Sequence, residues 1–343
     1  MISLLSQLPS PPPGKTDWPW TKESIPLPPV MSDGKPWPKI SIVTPSFNQG
    51  RFIEETIRSV LLQNYPNIEY IVIDGGSTDN SVDIIKKYEP WLTYWVSEHD
   101  KGQSHAINKG WERSTGDVIA YLNSDDVYIA DAFAEAVGNF RNNPDYAVVH
   151  GKTMVTDEEG RELSLFGSSF DLMSSVNGCN CTIAQPSAFI RRACLTDVGL
   201  MDLDLKWALD YDLWLRLKVR YPFYYVSRVW SKFRLHVRSK SMQHVTHRSD
   251  CLKIMEKLYA LPNLPVNLLN VKQRAFAWAY LFQALDCSAS GRVVQARFHA
   301  IRACAMSAYI CIRPGRELFL RAIFGLPVSN LLLSLGNFFR TKQ

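Results

Sequence analysis

Lys39-Ile40-Ser41-Ile42-Val43-Thr44-Pro45-Ser46-Phe47-Asn48 decides the fold. The β-branched, apolar run over 39–44 reads as a short buried strand, and the polar turn after it sits where a parallel α/β sheet puts ligand-contacting loops, at the carboxyl ends of strands. The pattern repeats outward. Residues 51–63 are predicted helical, with Ile53, Ile57, Val60 and Leu61 at helical spacing. Residues 68–73 form a second strand ending at Asp74, and Thr78 or Asp79 caps a helix to about Tyr88. A third strand over 94–97, a helix over 104–113, a fourth strand over 117–122, a helix over 131–140 and a strand over 146–150 follow. This alternation predicts an α/β protein with a mostly parallel central sheet covered by helices.

The surroundings divide the chain into three expected regions. Residues 1–38 are a proline-rich extension, partly polyproline II, whose Trp18, Trp20 and Trp37 are placed to pin it onto the domain. Residues 39–245 form the α/β domain. Residues 246–343 read as helices with short breaks at Pro262, Pro265, Gly291 and Pro314-Gly315. Between 151 and 185 the pattern is irregular, whereas 210–219 is a firm helix with Leu213, Trp214 and Leu217 on one face. No internal repeat is visible.

Composition bounds the class. The 343 residues, 46% hydrophobic and 21% charged, are ordinary for a globular protein, and the net charge of +5 gives no sign of a nucleic-acid partner. The excess is uneven: beyond Gly291 the chain carries seven arginines and Lys342 against Glu317 alone. That asymmetry predicts an anionic surface partner, a membrane first of all. The longest apolar stretch, 318–339, is broken by Arg321, Pro327, Ser329 and Asn330 and reads as interfacial or packed rather than spanning. Residues 1–13 lack the basic start of a signal peptide. Seven scattered cysteines form no disulfide framework, and Cys179-x-Cys181 has no second pair to complete a zinc site. The expected location is the cytoplasm, or the inner face of the cytoplasmic membrane.

Three segments carry the chemistry. Asp74-Gly75-Gly76-Ser77-Thr78-Asp79 follows a strand; its carboxylate can accept a pyrimidine N–H while the glycines let backbone approach a ligand, and it reads equally as a turn and helix cap. Asn123-Ser124-Asp125-Asp126 leaves a buried strand as an acidic tip, suited to Mg²⁺ or Mn²⁺ bridging substrate phosphates. Asp210 and Asp212 open a helix, where Asp is also a common cap. Being two apart they point in different directions, so one can serve as a general base while the other is structural. Two further groups are less specific. Arg234-Leu235-His236-Val237-Arg238-Ser239-Lys240-Ser241 can close over a diphosphate or simply be solvated. Asp100, before a helix carrying His105, Asn108 and Lys109, can hold a ribose or cap the helix. Together these carboxylates suit metal-dependent transfer from a nucleotide-activated donor.

Thr44–Asn48, the Asp74 turn, Asp100-Lys101-Gly102 with Ala106-Ile107-Asn108-Lys109-Gly110, Thr115-Gly116-Asp117 and Leu122–Asp126, in this order, resemble the inverting family 2 glycosyltransferases, over roughly residues 39–241. The resemblance implies a GT-A type, Rossmann-like nucleotide-binding domain. It implies that Thr44, Pro45, Phe47, Asn48 and Asp74 hold the nucleotide base, with Asp100, Asn123, Asp125 and Lys240 around the rest of the donor. It gives the metal to Asp126, Asp125 and His236, the catalytic base to Asp210, and the acceptor side to Gln185 and Trp214. The implied enzyme is hexosyltransferase-like. It moves sugar from a nucleotide-sugar, a UDP-sugar first of all, to a saccharide or lipid-linked saccharide in cell-surface polysaccharide or lipopolysaccharide synthesis. The chain departs from the family pattern at Asn123, Gly75 and Leu209, where many relatives carry acids. Two rivals remain. A nucleotidyltransferase would need a glycine- and lysine-rich triphosphate loop, which is not visible. A non-catalytic nucleotide-sugar sensor or scaffold would have no use for Asp125, Asp126 and Asp210 together.

Overall fold

The computed structural model describes residues 3–242, 250–312 and 315–324. The chain packs as two compact units. The first comprises Met1–Phe170, Thr182–Asp204 and Arg220–Val237; the second comprises Asp171–Cys181, Leu205–Val219 and Arg238–Gln343. This is a different division from the expected boundary at 245/246. Two inner stretches pack with the helical region rather than with the sheet.

The first unit opens with β1 (Ile40–Ser46), α1 (Ile53–Leu61), β2 (Ile68–Asp74), α2 (Ser81–Tyr88), β3 (Tyr94–Ser97), α3 (Gln103–Arg113), β4 (Val118–Tyr121), β5 (Val127–Tyr128), α4 (Ala132–Asn142), β6 (Val148–Thr156) and β7 (Glu162–Phe166). After α5 (Leu172–Gly178), which belongs to the second unit, come β8 (Ala188–Arg191) and α6 (Arg192–Val198). Then come α7 (Leu209–Arg220), nearly all of it in the second unit, and β9 (Phe223–Arg234) in the first. The strands run in the order β3-β2-β1-β4-β8-β6-β9-β5, with β7 paired to β6. From β3 to β4 every pairing is parallel, as the βα alternation predicts. β8 joins antiparallel to both β4 and β6.

Register places the site. Ser46 lies opposite Asp74, Asp74 opposite Ser97, and Val43 opposite Tyr121. The turns that leave β1, β2, β3 and β4 therefore emerge side by side along one sheet edge. β1 is buried along its whole length, small hydroxyl residues included, which is why apolar and β-branched residues dominate it. Ile42, Ile57, Tyr70, Val72, Phe133, Phe189 and Trp230 lie in one core beneath the site; each such side chain contributes about 1.5–3 kcal/mol by leaving water.

The irregular reading of 151–185 is corrected in part. β6 runs on to Thr156 because β7 and β9 pair with it on either side. β9 itself is masked in the sequence by Arg228 and Lys232. Its buried Ser231 is satisfied by Ser187 and Thr153.

The extension is anchored. Leu4, Leu5, Trp18, Leu27 and Trp37 pack on the core, and the Trp18 indole donates to the Tyr128 carbonyl at 2.7 Å. The strongest tie lies in the domain. Arg58, fully buried on α1, donates to the carbonyls of Pro19, Pro9 and Trp20 at 3.0, 2.9 and 2.8 Å.

In the second unit, α8 (Cys251–Leu258), α9 (Val266–Asn270), α10 (Lys272–Ala289), α11 (Val293–Met306), α12 (Ala308–Ile312) and α13 (Arg316–Phe324) pack around α10. Ala275, Ala277, Ala279, Leu281 and Ala284 are buried on α10, and α5 packs against it. Six described cysteines are unbridged. Among the described residues no helix is long and apolar enough to cross a membrane. The stretch 318–339 leaves the described residues after Phe324, so Leu326 and Leu331–Leu333 lie outside them.

Candidate active site

The four sheet-edge turns of the first unit are tied to one another by side chains. Asp74 is fully buried. Its carboxylate accepts from the Gly76 and Ser77 amides at 3.1 and 2.9 Å and from the Ser77 and Ser97 hydroxyls at 2.5 and 2.7 Å. Three of these bonds go to Oδ2 and one to Oδ1, so the carboxylate is held mainly through Oδ2. Asp74 therefore shapes the turn. Asn48, at φ +53°, accepts through Oδ1 from the Thr78 amide at 2.8 Å, and its own amide donates to Ser77. That carbonyl pins the β1 turn to the β2 turn. The Thr44 hydroxyl is buried against the Tyr70 hydroxyl at 3.1 Å, and Pro45 is buried too. Of the residues assigned to the base, Phe47 alone presents its side chain outward, 56% exposed. An exposed ring at a sheet edge can stack on a planar base.

Next along the edge stands Asp100, whose Oδ1 accepts from the Gly102 amide at 2.6 Å. A Cβ on Gly75 would come within 2.8 Å of Asp100 Oδ2, so the missing side chain at 75 makes room for this carboxylate. Asn123 follows after β4. Its Oδ1 accepts from Gln103 Nε2 at 2.6 Å, and its amide nitrogen lies 3.3 Å from Asp126 and 3.4 Å from Gln185. Gln185 in turn donates to the Tyr121 carbonyl at 2.8 Å, so it braces the β4 turn.

The acidic pair divides in function. Asp126 is fully buried; Oδ1 accepts from the Arg234 amide at 3.0 Å and Oδ2 from Asn123. Burial first, and then the neighbouring Asp125 charge, push its carboxyl well above the usual range. Asp125 is partly open, with Oδ2 2.9 Å from His236 Nε2. The His236 ring packs on Phe52 at 4.9 Å, and the Arg234 guanidinium lies over the same ring while bonding Glu55 and the Asp125 carbonyl. Among the described residues no three acid, histidine or cysteine side chains are gathered as a metal cage, and Asp126 is committed to the fold. Asp125 with His236 fits a divalent cation that completes its shell with phosphate oxygens and water.

In the second unit Asp210 stands in the first turn of α7, half-buried, with Oδ1 accepting the Tyr211 amide at 2.9 Å. Asp212 is the structural partner foreseen by the spacing. It is buried and ion-paired to Arg216 at 2.8 Å and Lys257 at 3.1 Å. Trp214, assigned by the resemblance to the acceptor side, is 1% exposed and therefore packed away from any acceptor. Lys240 also belongs to this unit, exposed, and reaches the Lys206 carbonyl at 3.4 Å.

Sequence reading missed several positioning groups. Asp250 Oδ2 accepts from the backbone amides of Lys206, Trp207 and Ala208 at 3.0, 2.7 and 3.2 Å, fixing the approach to α7 and hence Asp210. It reads only as a cap of α8, because the amides it holds lie about forty residues earlier. Gln103, Ser97 and Glu55 are likewise single polar residues without a motif.

These features define an α/β domain whose polar turns gather along one sheet edge. Residues 41–196 match the family model of glycosyl transferase family 2. An uncharacterized glycosyltransferase of Rickettsia typhi is 30% identical over 208 residues, covering 57% of this chain and 63% of that protein. One of Mycobacterium tuberculosis is 32% identical over 184 residues, 51% of this chain and 66% of that protein. The chain thus spans less than two thirds of either relative. Among solved structures, the mannosyltransferase PcManGT from Pyrobaculum calidifontis, in complex with GDP-Man and Mn²⁺, superposes with a TM-score of 0.56 at 17% identity, covering 88% of this chain and 80% of that one. S. aureus TarS in complex with UDP-GlcNAc gives 0.53 at 17% identity, over 83% and 79%. The fold is of the GT-A type, with additional C-terminal helices.

Proposed function

We propose that the protein is an inverting glycosyltransferase that moves a sugar from a nucleotide-sugar, a UDP-sugar first of all, to a hydroxyl of a saccharide or lipid-linked saccharide in cell-surface polysaccharide or lipopolysaccharide synthesis. One observation carries the reading. The Phe47, Asp100, Asn123 and Asp125–His236 groups line one sheet edge, on turns locked by Asp74, Asn48 and Asp126. Rigid turns presenting a ring and carboxylates suit a nucleoside diphosphate whose position must not drift during transfer. Donor complexes of the two structural neighbours, one with UDP-GlcNAc and one with GDP-Man and Mn²⁺, support the donor class.

In this reading Phe47 stacks on the base and Asp100 takes the ribose hydroxyls. Asp125 and His236 hold the divalent cation, which when bound neutralises charge developing on the departing diphosphate. Arg234 keeps that loop in place, and Lys240 contributes positive charge to the phosphates. Asp210 takes the proton from the acceptor hydroxyl, whose oxygen attacks the anomeric carbon opposite the diphosphate. The scaffold alternative would keep the first set of groups and dispense with Asp210.

The test is Asp210→Asn in the purified full chain, with donor binding and transfer measured separately. Transfer should fall at least about a hundredfold, the range typical of a lost general base, while donor affinity stays unchanged. Full transfer activity in that variant would overturn the assignment.

A further inference from the structure

We propose that the outward face of α11 seats the protein on an anionic phospholipid surface. The proposal deepens the lipid-linked reading above by naming the contact surface. α11 carries its apolar residues the wrong way round for a helix facing water. Its buried side is made of Ala296, Ala300 and Ala303, whose small side chains let it pack close on α10. Its larger apolar residues point out: Val294 is 82% exposed, Phe298 55% and Ile301 62%. Spaced by four and then three residues, they form one stripe. A surface helix in water carries the opposite pattern.

The charges beside the stripe choose the occupant. Arg297 and Arg302 are exposed, and neither meets a carboxylate; Arg297 reaches the Ile323 carbonyl, and Arg302 lies over the Tyr280 and Phe298 rings. Between Asp286 and Glu317 the chain has no acidic residue at all. A second copy docking on this face would set arginine against arginine. An apolar stripe flanked by cations matches the boundary between anionic headgroups and acyl chains.

The experiment is flotation of the full chain with phosphatidylcholine vesicles and with mixed phosphatidylcholine/phosphatidylglycerol vesicles. Each is run at low salt and at about 1 M salt, where charges are screened beyond about 3 Å. The wild type should bind the mixed vesicles at low salt and lose most of that binding at high salt. Arg297→Gln with Arg302→Gln should cut binding to the mixed vesicles by roughly tenfold or more, as expected for two basic residues near such a surface. Phe298→Ser with Ile301→Ser should cut it by a similar factor. Turnover of a soluble donor should stay unchanged in all variants, which separates this surface from the transfer reading. If the serine pair unfolds, the arginine pair still decides. Equal binding by wild type and the arginine variant, or no preference for anionic vesicles, would overturn the proposal. So would a dimer, seen by light scattering, that the substitutions dissolve while vesicles go unbound.

Discussion

At the scale of single residues, the acidic pair after β4 separates into a buried strut, Asp126, and a partly open carboxylate, Asp125, which we propose as the metal ligand. Removing Asp126 leaves the buried Arg234 amide without its acceptor, at a cost of about 1–3 kcal/mol. Asp125 carries no such duty beyond its contact with His236. Asp126→Ala should therefore lower the melting temperature by several degrees. Asp125→Ala should melt near wild type yet lose about a hundredfold or more in Mn²⁺-supported transfer. Thermal melts and steady-state rates on the two purified variants check this, and the reverse pattern would return the metal to Asp126. The motif alone does not divide these roles, because two adjacent aspartates look alike until the sheet buries one. Asp74 teaches the same point: its place at a strand end is legible, but of the donors that hold its carboxylate Ser97 comes from the neighbouring strand, twenty-three residues on.

At the scale of elements, β1, β2 and β4 are readable because buried parallel strands are rich in apolar and β-branched residues. β9 is not, because Ser231 hides in the core behind partners far away in the chain, Ser187 and Thr153, that sequence periodicity does not register. The N-terminal extension was legible in its tryptophans but not in its main anchor. Arg58 looks like one more surface residue of an amphipathic helix, and it is the most buried cation of the first unit. Arg58→Met keeps the aliphatic stem and strips the guanidinium from three carbonyls. The expected loss is about 2–4 kcal/mol. Limited proteolysis should then cut within residues 9–35 well before the wild type is cut; equal cleavage rates would show that the tryptophans hold the extension unaided.

At the scale of the whole molecule, chain order and packing disagree. α5 and most of α7 lie within the stretch that sequence assigns to the sheet domain, yet they pack with α8 and α10 or pair with their residues, as Asp212 does with Lys257. A chain ending at residue 245 would strip Lys257 from the buried Asp212 and Asp250 from the turn before α7. Such a chain should be poorly soluble, or melt many degrees below the full chain. A soluble, equally stable fragment would mean that the first unit and α7 fold without the helices.

The Trp18 contact has a further consequence, in time rather than space. Its partner carbonyl, on Tyr128, lies 110 residues further along. At ribosomal speeds of about 5–20 residues per second, the tryptophan-bearing leader leaves the tunnel on the order of 5–20 s before its seat exists. During that interval it is an open, aromatic ligand for chaperones and proteases. Nascent chains stalled before Tyr128 emerges should be clipped in the leader by a protease pulse, and chains stalled well after it should resist. Protection appearing as soon as Arg58 is exposed would show instead that α1 alone receives the leader.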